Sequence, residues 1–448
     1  MSRPPSKSNV SMFIGLWLGL TVAAGAGVFA LLYWAMSGPA ATPAPTAPTA
    51  VAVVATEPPK VLPTPTAGGV EVPAAAPACN FLPEPASGFG YGIQVHGLIP
   101  GVDNKPWMDM VRSKLNLNWV KLQVRWYFME PQPGQIDWGI LDNAMDAACA
   151  NGLRVMLSVI ASPDWTRATP LSKDIGEAPP DDPQVYANFI GQIVDRYPGK
   201  IAAIEVWNEA NLEREWNTAD GVNAGAFAGL LQAAYPAIKQ RDPNILVISG
   251  ALSPTGVNCS GTWPECAGGR PVVVDDASYL QQLIAAGGLN YADCVGTHSN
   301  GTNLPPTADG SNPPADTGYT FTGPWSSPHY SWALKSQVET YAAILQAAGL
   351  NKQQCLTEFG YASPVDGVVT PGYEFANDVS EQQQAEYLVA AYNWMRDSGL
   401  VKLAFLFNLD YGPKGGDPAT DDNVMFSILT RQGAPRPAFD AIGAMPKP

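Results

Sequence analysis

The sequence predicts an α/β protein: a (β/α)8 TIM barrel, preceded by one transmembrane helix and a Pro/Ala/Thr-rich stalk. Three observations lead to this prediction. Residues 79–448 repeat a short apolar run, a loop and an amphipathic stretch. Residues 12–36 form one uncharged apolar run, and residues 37–78 lack any apolar periodicity. We therefore expect a cytoplasmic N-terminus at 1–11, a signal anchor at 12–36, a linker at 37–78 and a barrel domain at 79–448.

The apolar run from Met12 to Met36 is long enough to cross a bilayer, because about 20 helical residues span a core of about 30 Å. Arg3 and Lys7 precede it, and the next basic residue is Lys60. The positive-inside tendency then predicts a single-pass cell-membrane protein whose barrel is extracytoplasmic. A cleaved signal peptide is the alternative, and it predicts a secreted protein.

The stalk contains PAATPAPTAPTA, a composition typical of an extended polyproline spacer. The formal net charge of the chain is -15, so nucleic acid, itself a polyanion, is an unfavourable partner. The six cysteines form no C-x-x-C pair, and no metal site or cofactor is expected. An oxidising compartment favours disulfides, and Cys259 with Cys266 closes a short loop. Cys79–Cys149 and Cys294–Cys355 are two further pairings among about 15 combinations, with free thiols as the alternative.

Eight apolar runs qualify as strands, and several are apolar on both faces, as in a parallel sheet covered by helices. Helices are predicted between them, among others at 184–197, 224–241 and 381–397. A doubly wound open sheet is the alternative, but no Gly-rich phosphate loop follows any strand. The candidate strands are Tyr91–His96, Trp119–Arg125, Arg154–Ile160, Ala202–Trp207, Ile245–Gly250, Cys294–His298, Gln354–Glu358 and Lys402–Asn408.

Two glutamates stand out by position among the 40 acidic residues. Glu209 follows the fourth apolar run in IEVWNEAN, and Glu358 ends the seventh in CLTEFG. In a closed barrel the carboxyl ends of the strands surround one cleft, so both side chains are expected there.

The Trp-Asn-Glu and Thr-Glu-Phe-Gly sequences resemble the motifs of clan A glycoside hydrolases, closest to the family 39 and family 5 types. The resemblance covers residues 88–448. It implies Glu209 as acid/base and Glu358 as nucleophile of a retaining glycosidase. It further implies that Asn208 binds a sugar hydroxyl, that Arg125 lies near the nucleophile and that His298 lies beside the acid/base. Purely structural roles are the alternatives for Arg125 and His298.

This chain departs from the clan after His298, where Ser299 and Asn300 replace the usual Tyr that binds the nucleophile. Asn300, Tyr330 or Tyr361 is expected to take over that contact. Three further residues follow predicted strands at the active rim and complete the predicted substrate-binding set: His96, Trp126 and Trp165.

In the chemistry that the resemblance implies, one carboxyl is protonated and the other ionised. Arg125 is expected to keep Glu358 anionic, and the negative Glu358 to raise the pKa of Glu209. The predicted function is hydrolysis of β-linked bonds in an extracellular oligo- or polysaccharide. A non-catalytic or transglycosylating carbohydrate-binding barrel at the cell surface is the alternative.

Overall fold

The computed structural model describes residues 79–169, 177–262, 266–313 and 328–448. Eight parallel strands form one sheet, and each is followed by a helix. The predicted barrel is thereby confirmed, and its elements lie close to the predicted ones. The strands are β1 Gly90–Gln94, β2 Trp119–Arg125, β3 Arg154–Ile160, β4 Ile201–Val206, β5 Leu246–Ser249, β6 Val295–Gly301, β7 Gln354–Tyr361 and β8 Val401–Leu406.

The helices alternate with the strands along the described chain, and shorter helical turns decorate the loops. The main helices are α1 Lys105–Ser113, α2 Gly139–Ala150, α3 Pro183–Arg196, α4 Ala224–Lys239, α5 Asp276–Ala285, α6 Leu334–Ala347, α7 Glu381–Ser398 and α8 Pro437–Ala444. The short turns are Trp126–Met129, Asp164–Thr166, Gly288–Tyr291, Tyr330–Trp332, Glu374–Asp378, Tyr411–Lys414 and Asp422–Phe426.

The sheet runs in the order β5-β4-β3-β2-β1-β8-β7-β6, so β1 pairs with both β2 and β8. Two isolated parallel bridges, Ile248 with Cys294 and Leu252 with Thr297, join β5 to β6. The ring is therefore nearly closed, and the carboxyl ends of all eight strands face one end of the barrel. A short antiparallel pair, Cys259–Ser260 with Pro271–Val273, lies in the loop between β5 and α5.

Alternation along β2 shows how the sequence places polar groups inside the ring. Val120, Leu122 and Val124 are fully buried and belong to the main hydrophobic core. Because successive side chains of a strand point to opposite faces, Lys121 lies on the other face and projects into the barrel. An interior polar group at this depth needs partners, and Lys121 finds them in two carboxylates described below.

Local signals fix the helix ends as the sequence predicts. The Asp182 side chain accepts a hydrogen bond from Gln184 N at the start of α3. Ser380 and Gln383 form a reciprocal capping box at the start of α7, which ends at Gly399 with φ of 68°.

All six cysteines form disulfides: Cys79–Cys149, Cys259–Cys266 and Cys294–Cys355. The pairings proposed from the sequence are confirmed. The last of them joins β7 to the residue that precedes β6, and it buries both of its cysteines.

The predicted membrane anchor at 12–36 and the stalk at 37–78 lie outside the described residues, as do Tyr319, Phe321 and Trp325 of the loop after β6. Among the described helices, none combines the length and the apolar character needed to cross a membrane.

Candidate active site

Glu209 lies in a strained turn directly after β4. The backbone φ is 70° at Trp207 and 38° at Glu209, in the left-handed region that non-glycine residues seldom adopt. A hydrogen bond from Glu209 N to Ala251 O, 2.8 Å long, holds the turn against the end of β5. Gly250 permits this close approach, since a Cβ there would lie 2.7 Å from Val206 O. The turn thus delivers a buried Glu209 side chain to the barrel mouth.

Glu358 lies inside β7 rather than at its end. We expected the strand to stop at Glu358, but it continues to Tyr361. The expectation was wrong because Phe359, Gly360 and Tyr361 remain paired with β6. Glu358 consequently sits deeper in the barrel than its position in the motif indicates, and its side chain is nearly buried.

His298 of β6 brings the two carboxylates together. Its Nδ1 lies 2.9 Å from Glu209 Oε1 and 3.7 Å from Glu358 Oε2. Those two oxygens are therefore separated by at most the sum of the two distances, about 6.6 Å, which is compatible with the 5–5.5 Å between the carboxyl groups of retaining glycosidases. His298 itself is fully buried, and Gln337 Nε2 donates to its carbonyl oxygen over 2.8 Å. His298 lies beside Glu209 in the structure, as predicted.

The electrostatics of Glu209 differ from the expectation. Burial acts to raise the pKa of Glu209, but Arg214 and His298 outweigh burial and hold that pKa well below its ordinary value. Arg214 Nη2 lies 2.5 Å from Glu209 Oε2. The expected raised pKa of Glu209 was wrong because no sequence motif indicates a guanidinium at this oxygen. Each Glu209 oxygen thus faces one basic group, Oε1 the His298 Nδ1 atom and Oε2 the Arg214 guanidinium.

The cation beside Glu358 is Lys121, not Arg125. Lys121 Nζ lies 2.7 Å from Glu358 Oε1 and 3.7 Å from Glu205 Oε2. Burial acts to lower the pKa of Lys121, but Glu358 and Glu205 more than offset this, and the net shift is upward. Arg125 instead pairs with Glu177, Nε to Oε1 3.1 Å. Lys121 and Arg125 lie on the same face of β2. Glu358 lies deep in the barrel, at the level of Lys121.

Comparisons with known proteins agree with this architecture. The glycoside hydrolase family 42 model, described as beta-galactosidase, matches residues 103–177. No curated protein matches the chain by sequence. Among solved structures, a family 39 glycoside hydrolase from Bacteroides cellulosilyticus WH2 is similar, with 16% identity and a TM-score of 0.53. The match covers 80% of this chain and 64% of that one, so this chain spans less than two thirds of that enzyme.

Two further structures show the same fold. Xylanase 10B from Thermotoga petrophila RKU-1 in complex with xylobiose has 14% identity and a TM-score of 0.50, over 80% of this chain and 93% of that one. The GH53 catalytic domain of Ignisphaera aggregans has 15% identity and a TM-score of 0.50, over 82% and 99%. The chain resembles clan A glycoside hydrolases. Its motifs predicted this resemblance, which is confirmed.

A cavity of about 710 Å³ opens beside Glu209. Asn300 lines it, and the Asn300 Oδ1 atom is buried without a hydrogen-bond partner among the described residues. The same holds for Asn208 Oδ1, next to Glu209 in the turn. Aromatic side chains supply apolar surface to the cavity: Trp332, Tyr373 and Phe375. Buried acceptors beside aromatic faces suit a sugar, which presents hydroxyl donors and apolar C–H faces.

A second cavity, of about 390 Å³, lies over the ends of β1 and β2. His96 and Arg125 line it, together with the 63% exposed Phe128. The His96 ring stacks on Tyr411 with centroids 4.2 Å apart, and burial lowers the pKa of His96. His96 and Arg125 thus remain at the barrel mouth, as predicted, although Arg125 does not contact the nucleophile.

Two predicted site residues pack in or against the core. Trp126 is 1% exposed and stacks on Phe189 with centroids 4.6 Å apart. Trp165 packs edge-on against Trp126 and donates to Glu130 O over 3.0 Å, so it is held as a neighbour of the core. The prediction for Trp126 was wrong because the chain turns into the short helix 126–129 at the end of β2, which points Trp126 toward the outer helices, whereas Trp165 is partly exposed and its role stays a prediction.

Neither tyrosine proposed as a partner of the nucleophile contacts it. Tyr361 lies three residues after Glu358, an odd number, so it faces the helices and packs against Tyr387. Its hydroxyl has no hydrogen-bond partner in the described part of the chain. Tyr330 Oη instead donates to Asp276 Oδ1 over 3.0 Å. Lys121 and His298 are the basic groups that face Glu358 in the described part of the chain, and Tyr411 also lies close enough to interact with it.

Sequence reasoning missed Arg214, Glu215 and Glu177. Each lies in a loop, and no motif marks it. Burial and the negative charges of Glu177 and Glu209 raise the pKa of Glu215 to about 8. No group of three or more His, Cys, Asp or Glu side chains in the described ranges is arranged to hold a metal ion.

Proposed function

We propose that the barrel is a retaining glycoside hydrolase in which Glu209 is the acid/base and Glu358 the nucleophile. One observation carries the proposal: His298 Nδ1 lies 2.9 Å from Glu209 Oε1 and 3.7 Å from Glu358 Oε2, so these two oxygens are at most about 6.6 Å apart. The similarity to (β/α)8 glycosidases supports the same reaction class.

In the first step Glu358 attacks the anomeric carbon while Glu209, protonated, gives its proton to the departing glycosidic oxygen. Lys121 Nζ places a buried positive charge 2.7 Å from Glu358 Oε1 and donates to this oxygen, which orients the attacking carboxylate. In the second step Glu358 is esterified and neutral. Glu209 then takes a proton from water, which attacks the anomeric carbon and releases the sugar.

We propose β-linked oligo- or polysaccharides as substrates. The leaving group lies on the side of its proton donor, so the 710 Å³ cavity at Glu209 is assigned to the leaving sugar. Asn208 and Asn300 are proposed to accept hydrogen bonds from sugar hydroxyls, and His96 and Arg125 to bind on the opposite side. The xylobiose complex of the similar xylanase 10B is one precedent for a short β-linked sugar.

We further propose that the barrel is held outside the cell membrane by residues 12–36 and spaced from it by residues 37–78. The length of the uncharged run and the basic residues before it support this placement. Fractionation of cells that express the full chain tests it. Recovery of the intact chain with membranes, accessible to external protease, is expected, whereas recovery in the medium indicates cleavage.

The experiment that tests the reaction is a screen of the full chain against 4-nitrophenyl β-glycosides and β-linked glucan, xylan, mannan and galactan. Glu358→Gln and Glu209→Gln are expected to lower kcat by several orders of magnitude. Glu386→Gln, an exposed change on α7, is the matched control and should leave activity unchanged. Equal turnover by all four proteins would refute the assignment. Product mixtures with and without an added sugar acceptor separate hydrolysis from transglycosylation.

A further inference from the structure

A ladder of alternating charges runs outward from Glu209 along the rim of the barrel. Arg214 lies between two carboxylates, with Nη2 2.5 Å from Glu209 Oε2 and Nε 3.8 Å from Glu215 Oε1. Beyond them Arg125 pairs with Glu177. The segment after Glu209 is cross-linked to Glu177 by two backbone hydrogen bonds, Glu177 N to Arg214 O and Asn217 N to Glu177 O. These groups therefore keep their spacing.

The charges of the ladder do not balance. Three carboxylates, those of Glu177, Glu209 and Glu215, face two guanidinium groups in this part of the described chain. Burial raises the pKa of Glu177 and of Glu215, whereas Arg214 and His298 outweigh burial at Glu209, so the excess negative charge favours a proton on Glu177 or Glu215 rather than on Glu209. Arg125 pairs with Glu177, and Arg214 is the cation that lies between Glu209 and Glu215. Burial raises the pKa of Glu215 to about 8, consistent with the proton residing there in the free protein.

This arrangement conflicts with acid catalysis as it stands. A general acid needs a protonated oxygen free to reach the leaving group. Yet Glu209 Oε1 faces His298 at 2.9 Å and Glu209 Oε2 faces Arg214 at 2.5 Å. His298 is fully buried and fixed, whereas the Arg214 side chain is 64% exposed and lines the cavity assigned to the leaving sugar. Of the two donors, Arg214 is the one that can move.

We propose that Arg214 is a positioning residue that acts as a removable clamp on Glu209 and passes to Glu215 when substrate binds. The leaving sugar displaces the guanidinium, the Glu215 carboxyl loses its proton, and Glu209 gains one. The exchange converts Glu209 carboxylate and Glu215 acid into Glu209 acid and Glu215 carboxylate, with no net uptake from solvent. The Arg214 guanidinium moves from Glu209, now neutral, to the Glu215 carboxylate. After glycosyl transfer to Glu358, the clamp returns and favours Glu209 as the base toward water. This inference rests on the proposed function for its role in catalysis.

Other groups facing Glu209 do not offer this exchange. Lys121 on β2 is locked between Glu358 and Glu205, and His298 on β6 is shared with Glu358 on β7. Tyr373 lies close enough to interact with both Glu209 and Arg214, but burial raises the pKa of Tyr373 and keeps it neutral. Glu215 is the described carboxyl that shares the movable Arg214 with Glu209.

The test compares four proteins as full chains: wild type, Glu215→Gln, Arg214→Gln and the double variant. The probe is the β-linked oligosaccharide that wild type cleaves fastest, because its leaving group is a sugar that needs protonation, and the readout is the alkaline limb of kcat/KM against pH. In Glu215→Gln, Arg214 has no second carboxylate to move to and stays on Glu209. The alkaline limb of the pH profile is therefore expected to move toward acid by more than one pH unit. Adding Arg214→Gln removes the clamp, so the double variant should move the limb back. Arg196→Gln, which breaks an exposed pair with Asp142 on the outer surface, controls for the lost charge.

A structural role for Arg214 predicts instead that the double variant is no better than the worse single variant, and that result overturns the proposal. A readout independent of turnover is the 13C spectrum of protein labelled at glutamate carboxyl carbons. One carboxyl is expected to titrate far above the ordinary range in wild type and to disappear in Glu215→Gln. Absence of any such titration overturns the shared proton even if no substrate is found, whereas its presence without glycosidase activity refutes the proposed function alone.

Discussion

Lys121 is the residue whose removal tests the electrostatic design of the site most sharply. It is fully buried, and its Nζ lies 2.7 Å from Glu358 Oε1 and 3.7 Å from Glu205 Oε2. Glu205 keeps two other donors, Thr357 Oγ1 at 2.6 Å and Ala251 N at 3.2 Å. Apart from Lys121, the ionic partner of Glu358 among the described residues is His298, whose Nδ1 lies 3.7 Å from Glu358 Oε2. Lys121→Met therefore removes the nearer ionic partner of Glu358, and it also leaves Glu205 Oε2, which has no hydrogen-bond partner among the described residues, without its cation.

Breaking a buried ion pair by removing one partner costs about 3–5 kcal/mol, because the other charge is left buried and uncompensated. We expect Lys121→Met to lower the free energy of unfolding by an amount in that range, measured by urea denaturation at pH 7. The methionine fills most of the lysine volume, so a cavity contributes little. Lys402→Met, an exposed change on the neighbouring strand β8, is the matched control, expected to stay within about 0.5 kcal/mol.

A double-mutant cycle with Glu358→Gln isolates the pair itself. If Lys121 stabilises Glu358, the double variant should be more stable than the sum of the single effects by about 0.5–3 kcal/mol. Strict additivity, or a loss below about 1 kcal/mol for Lys121→Met alone, would show that the lysine does not hold the carboxylate and would refute the reasoning.

Three further outcomes are expected. Burial raises the pKa of Asp276 to about 7 in the folded protein, so this carboxyl binds more protons in the folded than in the unfolded chain. The stability that it contributes is therefore lost as pH rises from about 4 to 7. Asp276→Asn should flatten this decline in the free energy of unfolding, measured by urea titrations. Replacing Cys294 and Cys355 by Ala removes a disulfide that spans 61 residues. The free energy of unfolding should fall by about 4 kcal/mol relative to oxidised wild-type protein. Gly250→Ala places a Cβ 2.7 Å from Val206 O and should reduce activity more than stability, which parallel kinetics and denaturation will decide.

The barrel could be predicted from the sequence because its strands are buried on both faces and read as continuous apolar runs. Strands β2 and β3 begin and end at the predicted residues, Trp119–Arg125 and Arg154–Ile160. The ends of β7 were harder, since Phe359, Gly360 and Tyr361 are as compatible with a loop as with a strand. That ambiguity misplaced the depth of Glu358.

The motif glutamates and His298 could also be predicted, since each is tied to a strand. The positions of the cations beside these glutamates, Lys121 and Arg214, could not be predicted. Alternation assigns Lys121 and Arg125 to one face of β2 but does not say which is level with Glu358. Arg214 reaches Glu209 only because the chain reverses through a turn with two non-glycine residues at positive φ, and no pattern in the sequence announces that turn.

The most direct measurement of the central claim is covalent trapping. The full chain is incubated with 2,4-dinitrophenyl 2-deoxy-2-fluoro-β-glycosides of the gluco, galacto, xylo and manno series, digested and analysed by mass spectrometry. A retaining mechanism with these roles predicts one fluorosugar on the peptide that contains Glu358, and none after Glu358→Gln. Label on any other residue, or a product of inverted anomeric configuration from an active preparation, would contradict the account.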